Sequence, residues 1–494
     1  MNKISYIKKS GWKVIFFMVC FTFALAASGE REVKNPPNVL MICIDDLNDW
    51  VGCMKGHPNT HTPHIDRLAS DGVLFTNAHC QAPLCGPSRA SVMLGLRPSS
   101  TGIYGQIDDN EIRQENPVTE GIRFLPEYFK EKGYYTMGIG KIFHHHAPEG
   151  VFDESGGREK GFGPKPERRF VWEGKAGKEG YGGTSTDWGA YPASDSLMPD
   201  FRSAKWAVEK LQQDYTRPFF LTVGFLRPHV PWYVPQKWFD LHPLEGIQTP
   251  PYLESDLEDL PAITRQIDDL AMMPTTKWAI ESGEWPKIIQ AYLACISFVD
   301  HYVGEVIKAL ENSQYADNTV VVLWSDHGYR LGEKGTFAKH CLWEEATNAP
   351  LIFAGPGIQQ GQTVHSPTEM LSIYPTLLDL CGLEPYAKNE GMNLAPLLRG
   401  EPTTTGDFAL TTYGWGNHGI RTKNFRYIRY NDGSEELYDH RHDPNEWHNL
   451  VKQGKTSGTE RLKQYLPEVN RPYAKYSEYN YNPYFMQDKI NHSE

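Results

Sequence analysis

The chemistry that this chain could perform is best indicated by residues 84–89, which read Leu-Cys-Gly-Pro-Ser-Arg. The Gly-Pro pair and the helical pattern after it predict that Cys85 stands at the exposed start of a helix. At that place the helix dipole and the nearby Arg89 favour a bound anion. Cys85 is therefore a candidate nucleophile acting on an anionic group. The alternative is an inert residue, because free cysteine often packs as a small buried hydrophobe.

Short apolar runs alternate with amphipathic stretches along the chain, and this alternation predicts an α/β sandwich. The apolar runs, typical of strands buried on both faces of a parallel sheet, span residues 38–44, 134–139, 219–225, 319–324 and 351–354. The amphipathic stretches, which predict helices, span residues 124–132, 203–212, 288–310 and 370–383. Two long segments, residues 148–200 and 241–286, interrupt the pattern and are interpreted as functional or mobile insertions.

Side chains capable of chemistry follow four of these strands at the point where each strand ends. In chain order they are Asp45 and Asp46, Lys141 and His144, Arg227 and His229, and Asp326 and His327. Ligands of open α/β sheets bind beyond the carboxyl ends of the strands, so these residues are expected to converge on one edge. The three carboxylates together predict a cage for a hard cation. Taken singly, the aspartates could instead form a helix cap or part of a turn.

The Cys-x-Pro-Ser-Arg pattern at residues 85–89 resembles the maturation signature of the formylglycine-dependent (type I) sulfatases. Gly-Lys-Ile-Phe-His at 140–144, Arg-Pro-His-Val-Pro at 227–231 and Leu-Gly-Glu-Lys-Gly at 331–335 follow in the order of the iduronate-2-sulfatase-like branch. The chain is also similar to bacterial polysaccharide sulfatases of the ulvan or glycosaminoglycan type. The likeness covers most of residues 38–400. It implies an alkaline-phosphatase-like α/β sandwich with a smaller C-terminal α+β domain that carries a short antiparallel sheet.

The resemblance implies a modified nucleophile and one metal ion. In that family the cysteine is oxidised to formylglycine (3-oxoalanine) by a formylglycine-generating or anaerobic maturation enzyme. One hydroxyl of the hydrated aldehyde attacks sulfur and displaces the alcohol, and the other then expels sulfate. One Ca²⁺ would be held by Asp45, Asp46, Asp326 and His327, with the modified Cys85 completing the site. His327 stands where the commonest family pattern has Asn, but the iduronate-2-sulfatase branch shares this His.

The resemblance also implies which groups surround the sulfate, namely Arg89, Lys141, His144, His229 and Lys339. Arg89 would orient the nucleophile, and His144 would assist breakdown of the sulfated enzyme. His229 or Lys339 would protonate the departing sugar oxygen. From the residues alone, Lys339 could be a solvated lysine and His229 a structural residue. The run of three histidines at 144–146 could equally be an adventitious metal site.

The implied reaction is hydrolysis of sulfate esters in a polysaccharide or oligosaccharide, expected from the branch to contain uronic acid. Aromatic residues near the insertions are candidates for stacking on sugar, namely Tyr181, Trp188, Tyr191 and Trp232. Arg227 is a candidate for binding a substrate carboxylate. The structural alternatives are loop packing for the aromatic residues and an ion pair for the arginine. Two other functions stay open: a phosphonate monoester or phosphodiester hydrolase of the same superfamily, and a catalytically silent carbohydrate-binding protein.

Residues 1–26 read as a secretory signal peptide, because lysines precede an apolar run at 14–26 that ends in Ala-Leu-Ala. The run is too short to span a membrane comfortably. We therefore expect an exported protein, periplasmic or secreted, with no stable membrane insertion after the signal is removed. Removal takes away four lysines and no acids, so the formal charge changes from −12 to −16. Such an acidic surface argues against nucleic-acid binding.

The rest of the chain is expected to form a catalytic domain at 27–400 and a C-terminal subdomain and tail at 401–494. In the latter, Asn-Asp-Gly at 431–433 predicts a hairpin between strands at 420–430 and 435–438. Apart from Cys20 and Cys85, the six cysteines are too widely spaced to predict any disulfide pairing.

Overall fold

A mixed eight-stranded sheet forms the centre of the fold in the computed structural model, which describes residues 36–114, 116–174, 184–403, 405–478 and 482–493. The strands of the chain are β1 (Asn38–Asp45), β2 (Gly72–Phe75), β3 (Ala78–His79), β4 (Tyr135–Gly140), β5 (Glu154–Gly157), β6 (Trp188–Ala190), β7 (Phe219–Pro228), β8 (Trp232–Val234), β9 (Thr319–Ser325), β10 (Leu351–Ala354), β11 (Gln362–Val364), β12 (Thr368–Glu369), β13 (Phe408–Thr412), β14 (His418–Thr422), β15 (Phe425–Arg429) and β16 (Glu435–Asp439). The central sheet has the order β11-β2-β10-β9-β1-β7-β4-β5, and only β10 runs antiparallel to its neighbours.

Helices cover both faces of this sheet. The helices of the described residues are α1 (Pro63–Ser70), α2 (Cys85–Leu94), α3 (Pro98–Thr101), α4 (Leu125–Glu131), α5 (Pro199–Leu211), α6 (Gln236–Phe239), α7 (Ala262–Ile267), α8 (Thr276–Ser282), α9 (Trp285–Glu311), α10 (Glu344–Thr347), α11 (Ile373–Leu380), α12 (Ala395–Leu398), α13 (Thr459–Lys463) and α14 (Pro483–His492). Of these, α13 and α14 pack with the C-terminal strands rather than on the central sheet. Successive side chains of β1 enter opposite cores: Leu40 and Ile42 pack with α5 and α9, whereas Met41 and Cys43 pack with α2, α4 and α11. Burial on both faces is why residues 39–44 of β1 are all apolar rather than alternately apolar and polar.

The predicted strands and helices are confirmed, with ends shifted by a few residues, and so is the α/β sandwich. The single strand expected at 420–430 is wrong, because the chain reverses at residues 423–424 and forms β14 and β15 as an antiparallel pair. At this turn the Thr422 hydroxyl accepts a hydrogen bond from the Phe425 N–H at 3.1 Å. β15 and β16 form the predicted hairpin. Together β13, β14, β15 and β16 form the four-stranded antiparallel sheet of the C-terminal region.

The parallel strands end together at one edge of the central sheet. Ile44 of β1 pairs with Ser325 of β9, and Gly140 of β4 pairs with Gly224 of β7. This register brings the polar residues after β1, β4, β7 and β9 to the same place, as the sequence predicted.

Four further predictions concern the N-terminus, the domain boundary, the cysteines and the membrane. The signal peptide at 1–26 lies outside the described residues. The residues described from 36 onward belong to one compact unit, and the domain boundary at residue 400 stays a prediction. The cysteines that the structure describes are free thiols: Cys43, Cys53, Cys80, Cys85, Cys295, Cys341 and Cys381. In the part of the chain described, no helix combines the length and apolar character needed to cross a membrane.

Candidate active site

Cys85 is the first residue of α2, as the Gly-Pro pair predicts, but it is not exposed. Only 1 % of its surface is accessible, because the whole of α2 is buried in the fold. The thiol instead lines a cleft of about 660 Å³ that opens to solvent. The N–H of Gly86, in the first turn of α2, donates to the side-chain oxygen of Gln106 at 2.9 Å. The predicted helix start is confirmed, whereas the predicted exposure is wrong.

Cationic and imidazole groups surround the thiol. The Nζ of Lys339 lies 2.9 Å from the Cys85 Sγ, and the Nε2 of His327 lies 3.3 Å from it. Burial alone would raise the pKa of the Cys85 thiol, but Lys141, Lys339 and His327 outweigh burial and hold that pKa well below its usual range. Position 85 is therefore a place where negative charge is stabilised.

Three fully buried carboxylates, those of Asp45, Asp46 and Asp326, lie beneath the thiol. Two overlapping groups of side chains could hold a metal ion, each with its ligand atoms within 4.8 Å of one another. The first group is Asp45, Cys85, Asp326 and His327, and the second is Asp45, Asp46, Cys85 and His229. The Oδ2 atom of Asp46 is buried without a hydrogen-bond partner. Such a set of oxygens, with one unsatisfied, suits a hard cation.

The backbone around these carboxylates keeps them turned inward. Asp46 has φ 61°, in the left-handed region that Asp tolerates better than most residues. Its N–H donates to Oδ1 of Asp326 at 3.1 Å, which joins the ends of β1 and β9. The Nδ1 of His327 lies 2.9 Å from the carbonyl oxygen of Gly328, so Nδ1 carries the proton and Nε2 faces the site.

Arg89 and Lys141 lie behind the carboxylates. Nε of Arg89 donates to Oδ2 of Asp326 at 2.8 Å, and Nη2 lies 3.5 Å from Oδ1 of Asp45. Nη1 of the same guanidinium donates to the carbonyl of Ile142 at 3.2 Å. The Nζ of Lys141 pairs with Oδ2 of Asp45. Both side chains are buried, so they hold the carboxylates in place from beneath.

The loop that carries His144 is fixed by two residues that sequence reasoning missed. Asp109 accepts hydrogen bonds from the backbone N–H groups of His144, at 3.2 Å, and His145. Arg158 donates to the carbonyl oxygens of the same two residues. Both histidines line the cleft. Burial lowers the pKa of His144 to about 4, so its imidazole is neutral near pH 7 and can accept a proton. Asp109 follows no strand, and Arg158 follows β5, a strand that the sequence analysis did not predict, so no pattern pointed to either residue.

His229 lines the cleft with its Nε2 4.0 Å from Oδ2 of Asp46. Phe162, in the first insertion, stacks on the His229 ring with centroids 4.5 Å apart and an interplanar angle of 11°. Arg227 is fully buried, and its guanidinium donates to the carbonyl oxygens of Tyr233, His229 and Phe162. The prediction that Arg227 binds a substrate carboxylate is therefore wrong, because these bonds engage its guanidinium inside the protein.

Three of the four aromatic residues proposed to stack on sugar do not line the cleft. Trp188 and Trp232 are buried, and the Trp232 indole donates to the carbonyl of Pro228 at 2.8 Å. Tyr191 packs edge-on against Tyr233 and is not among the residues that line the cleft. Tyr181 lies outside the described residues. Among the residues described, the aromatic rings that line the cleft beside its histidines are those of Phe162, Tyr329 and Tyr476.

Comparison with known protein families gives two matches. The model described as Sulfatase matches residues 37–383. The model described as N-sulphoglucosamine sulphohydrolase, C-terminal, matches residues 332–471. The chain belongs to the sulfatase family, and it is a sulfuric ester hydrolase. This confirms the family that the motifs at 85–89 and 140–144 indicated.

Two curated proteins and two solved structures show how far the likeness extends. A sulfatase of Formosa agariphila is 57% identical over 466 residues, which cover 93% of this chain and 92% of that protein. The iduronate 2-sulfatase of Homo sapiens is 32% identical over 414 residues, 74% of this chain and 73% of that protein. A solved 2-O GAG sulfatase is 26% identical with a TM-score of 0.64, covering 87% of this chain and 90% of that one. The phosphonate monoester hydrolase of Agrobacterium radiobacter shares the fold, with 21% identity and a TM-score of 0.66 over 88% of this chain and 97% of that one.

Proposed function

We propose that this sulfatase hydrolyses sulfate esters of a sulfated, uronic-acid-containing polysaccharide or oligosaccharide, using formylglycine at position 85 and one Ca²⁺ per chain. The observation that carries the proposal is the setting of the Cys85 Sγ. It lies at a helix start on a cleft wall, 2.9 Å from the Nζ of Lys339, and it shares a 4.8 Å cluster with Asp45 and Asp326. The overall reaction adds water to the ester and yields an alcohol, sulfate and one proton.

Asp45, Asp46 and Asp326 are the residues that would hold the calcium ion, with His327 and residue 85 completing its surroundings. The oxygen-rich donor set and the unsatisfied Oδ2 of Asp46 support this assignment. Bound Ca²⁺ supplies electrostatic polarisation of a sulfate oxygen.

The charges of the buried site support an anionic substrate. Its three carboxylates are matched by three cations, Lys141, Lys339 and Arg89. Because these charges cancel, a divalent ion would leave the cleft floor positive. A positive floor attracts a sulfate ester and stabilises the charge that develops on it.

The remaining catalytic roles are assigned to the side chains around residue 85. Formylglycine at position 85 supplies the nucleophilic oxygen when it is formed. Lys339 lies between Cys85 and Asp46 and would hold a sulfate oxygen. His229, on the same wall, or Lys339 would give a proton to the departing sugar oxygen. Neutral His144 would accept the proton that is lost as sulfate leaves. Arg89 and Lys141 would keep the carboxylates beneath residue 85.

A sugar carrying a uronic acid is the proposed substrate because the human relative is an iduronate 2-sulfatase and a structural neighbour is a 2-O GAG sulfatase. The cleft, at about 660 Å³, has the size of a pocket for a ligand of a few sugar units. Phe162, Tyr329 and Tyr476 give it ring surfaces that suit a sugar.

The experiment that tests this function has two parts. The protein is co-produced with a formylglycine-generating or anaerobic maturation enzyme, and residue 85 is analysed by mass spectrometry. Sulfate release is then measured on a panel of defined sulfated oligosaccharides, with and without uronic acid. We expect formylglycine at position 85 and release from uronate-containing members. Desulfation of neutral galactan fragments alone would overturn the substrate assignment.

Measurements on the same co-produced protein distinguish the two alternative functions. A higher kcat/KM on an aryl phosphodiester than on an aryl sulfate would favour the phosphonate or phosphodiester hydrolase. An unmodified Cys85 together with glycan binding and no turnover would favour a silent carbohydrate-binding protein. Export is proposed from residues 1–26, and the N-terminus of the mature protein in periplasm and medium tests it.

A further inference from the structure

A short C-terminal segment, residues 472–478, forms one wall of the cleft, and we call it the C-terminal strap. It lies beyond both family matches, which end at residues 383 and 471. The strap runs along the loop after α3. Ala474 N donates to the carbonyl of Gly102 at 2.9 Å, and Glu478 and Gln106 exchange two backbone hydrogen bonds of 2.7 and 2.9 Å.

The strap also packs closely against the backbone of the loop after α3. Gly102 has φ 74°, and a Cβ there would come within 2.1 Å of the Pro472 carbonyl oxygen, so the close approach needs glycine. The hydroxyl of Ser477 is buried and accepts a hydrogen bond from the Gly105 N–H at 2.7 Å. These contacts fix the position of the two strap residues that line the cleft, Tyr476 and Glu478.

The strap is also linked to residue 85. Gln106, which pairs with Glu478 through its backbone, accepts the Gly86 N–H through its side chain. Gln106 therefore connects the strap to the start of α2 by hydrogen bonds. Glu478 and Cys85 line the same cleft, so a substrate whose sulfate reaches residue 85 shares that cleft with the Glu478 carboxylate.

Charge is unevenly distributed around this cleft. The ammonium of Lys339 lines it 2.9 Å from the Cys85 Sγ, and His144 and the exposed His145 line it as well. Glu478 and Asp108, both exposed, place two carboxylates on the side formed by the strap and its partner loop. Carboxylates accept hydrogen bonds from sugar hydroxyls and repel a second anionic group.

We propose that Glu478, together with Asp108, determines specificity. They favour an uncharged, hydroxyl-bearing sugar next to the sulfated unit and disfavour a second sulfate there. The inference rests on the proposed function, because it takes a sulfated sugar as the ligand of this cleft. It adds which neighbouring unit the cleft accepts.

The test measures binding without turnover, in full-length protein carrying Cys85→Ala. The probes are two disaccharides that contain a 2-O-sulfated hexuronate, linked either to N-acetylglucosamine or to N-sulfoglucosamine. Dissociation constants are measured by isothermal titration calorimetry at low and high salt. We expect the disaccharide with the uncharged neighbour to bind about tenfold more tightly at low salt, with a smaller difference at high salt.

Substitution of the two carboxylates should remove this preference. Glu478→Gln and Asp108→Asn are each expected to tighten binding of the disulfated probe about threefold to fivefold, as for exposed charges, and to change the monosulfated probe by less than twofold. Asparagine at 108 keeps the acceptor that caps the turn at Asn110. Glu460→Gln, with its side chain 85% exposed on α13, is the matched control and should change neither constant.

The inference is overturned if the difference between the probes does not change, if both probes change alike, or if neither binds any variant. The proposed function is judged separately, by sulfate release from the monosulfated probe with matured protein that retains Cys85. Release together with an unchanged preference would reject the role of the strap and leave the function standing.

Discussion

Arg89 and Asp326 are 237 residues apart in the sequence and form a fully buried ion pair, with Nε of Arg89 2.8 Å from Oδ2 of Asp326. The same guanidinium contacts Asp45 and the carbonyl of Ile142. One side chain of α2 thus joins the ends of β1 and β9 and the loop after β4. The arrangement of the carboxylates beneath residue 85 depends on the several N–H groups of this one guanidinium.

Arg89→Lys is the substitution that tests this junction. Lysine keeps the charge but cannot reach Asp326, Asp45 and a carbonyl together. We expect the free energy of unfolding to fall by about 3–5 kcal/mol, as when a buried pair is broken, and activity to be lost. Urea unfolding and sulfate release measure the two effects. Arg123→Lys, in the half-exposed pair with Glu131, should change stability by less than about 1 kcal/mol. Equal effects of the two substitutions would contradict the role given to Arg89.

Cys85→Ala should abolish turnover and leave the fold intact, because the nucleophile can be formed only at this position. We expect a loss of at least about 10³-fold in kcat, with an unchanged circular dichroism spectrum. Cys80→Ala removes another buried thiol, five residues upstream, and should retain activity. Sulfatase turnover by purified Cys85→Ala protein would rule out the proposed nucleophile.

Asp46→Asn should weaken metal binding, since it removes one of the three carboxylates and the charge on the unsatisfied Oδ2. Elemental analysis of the matured protein is expected to find one Ca²⁺ per chain in the wild type and less than one in the variant. Chelation should lower the melting temperature of the wild type, because a bound ion stabilises the folded state. Two zinc ions per chain would be the result that contradicts the assignment.

Lys339→Met should lower kcat by about 10²–10³, the usual effect of removing one group that stabilises developing charge. The reason is the position of its Nζ, 2.9 Å from Sγ of Cys85 and 2.6 Å from Oδ1 of Asp46. Steady-state kinetics measure the effect, and mass spectrometry must show equal maturation of residue 85. Lys237→Met, whose side chain is 60% exposed, is the control. An unchanged kcat in Lys339→Met would remove this lysine from the mechanism.

His418→Gln tests a pH effect away from the active site. Burial lowers the pKa of His418, in β14, to about 4. The ordinary pKa of histidine is about 6.5, so below that pH the imidazole is protonated in the unfolded chain but stays neutral in the folded chain. The free energy of unfolding therefore decreases as the pH falls from about 6.5 towards 4. The loss is on the order of 3 kcal/mol, at about 1.4 kcal/mol per pKa unit.

The glutamine variant cannot take up that proton, so its stability should fall less steeply over this range. Urea unfolding at pH 7.5, 5.5 and 4.5 measures the difference between the two proteins. Parallel curves for wild type and variant across the whole range would show that His418 does not titrate in this way.

The sequence predicted the fold and the polar edge of the sheet because those signals are local. After their first residues, the runs at 38–44 and 319–324 are apolar, as strands buried on both faces must be. Asp45 follows the first run directly, and Asp326 follows the second after Ser325. Parallel strands carry such residues to one edge whatever the loops do. The motifs at 85–89 and 140–144 gave the family for the same reason, since each is a set of neighbouring residues.

Contacts between distant segments determined which side chains are buried and which line the cleft, and the sequence alone could not predict these contacts. Packing of α2 on all sides made Cys85 buried rather than exposed, and loop carbonyls took up the Arg227 guanidinium. Phe162 and the strap residue Glu478 reached the cleft from segments without a periodic pattern. Residue type and spacing therefore determined which chemistry this protein has. Long-range packing, which depends on the shape of the whole chain, decided which side chains face the substrate and which support them from behind.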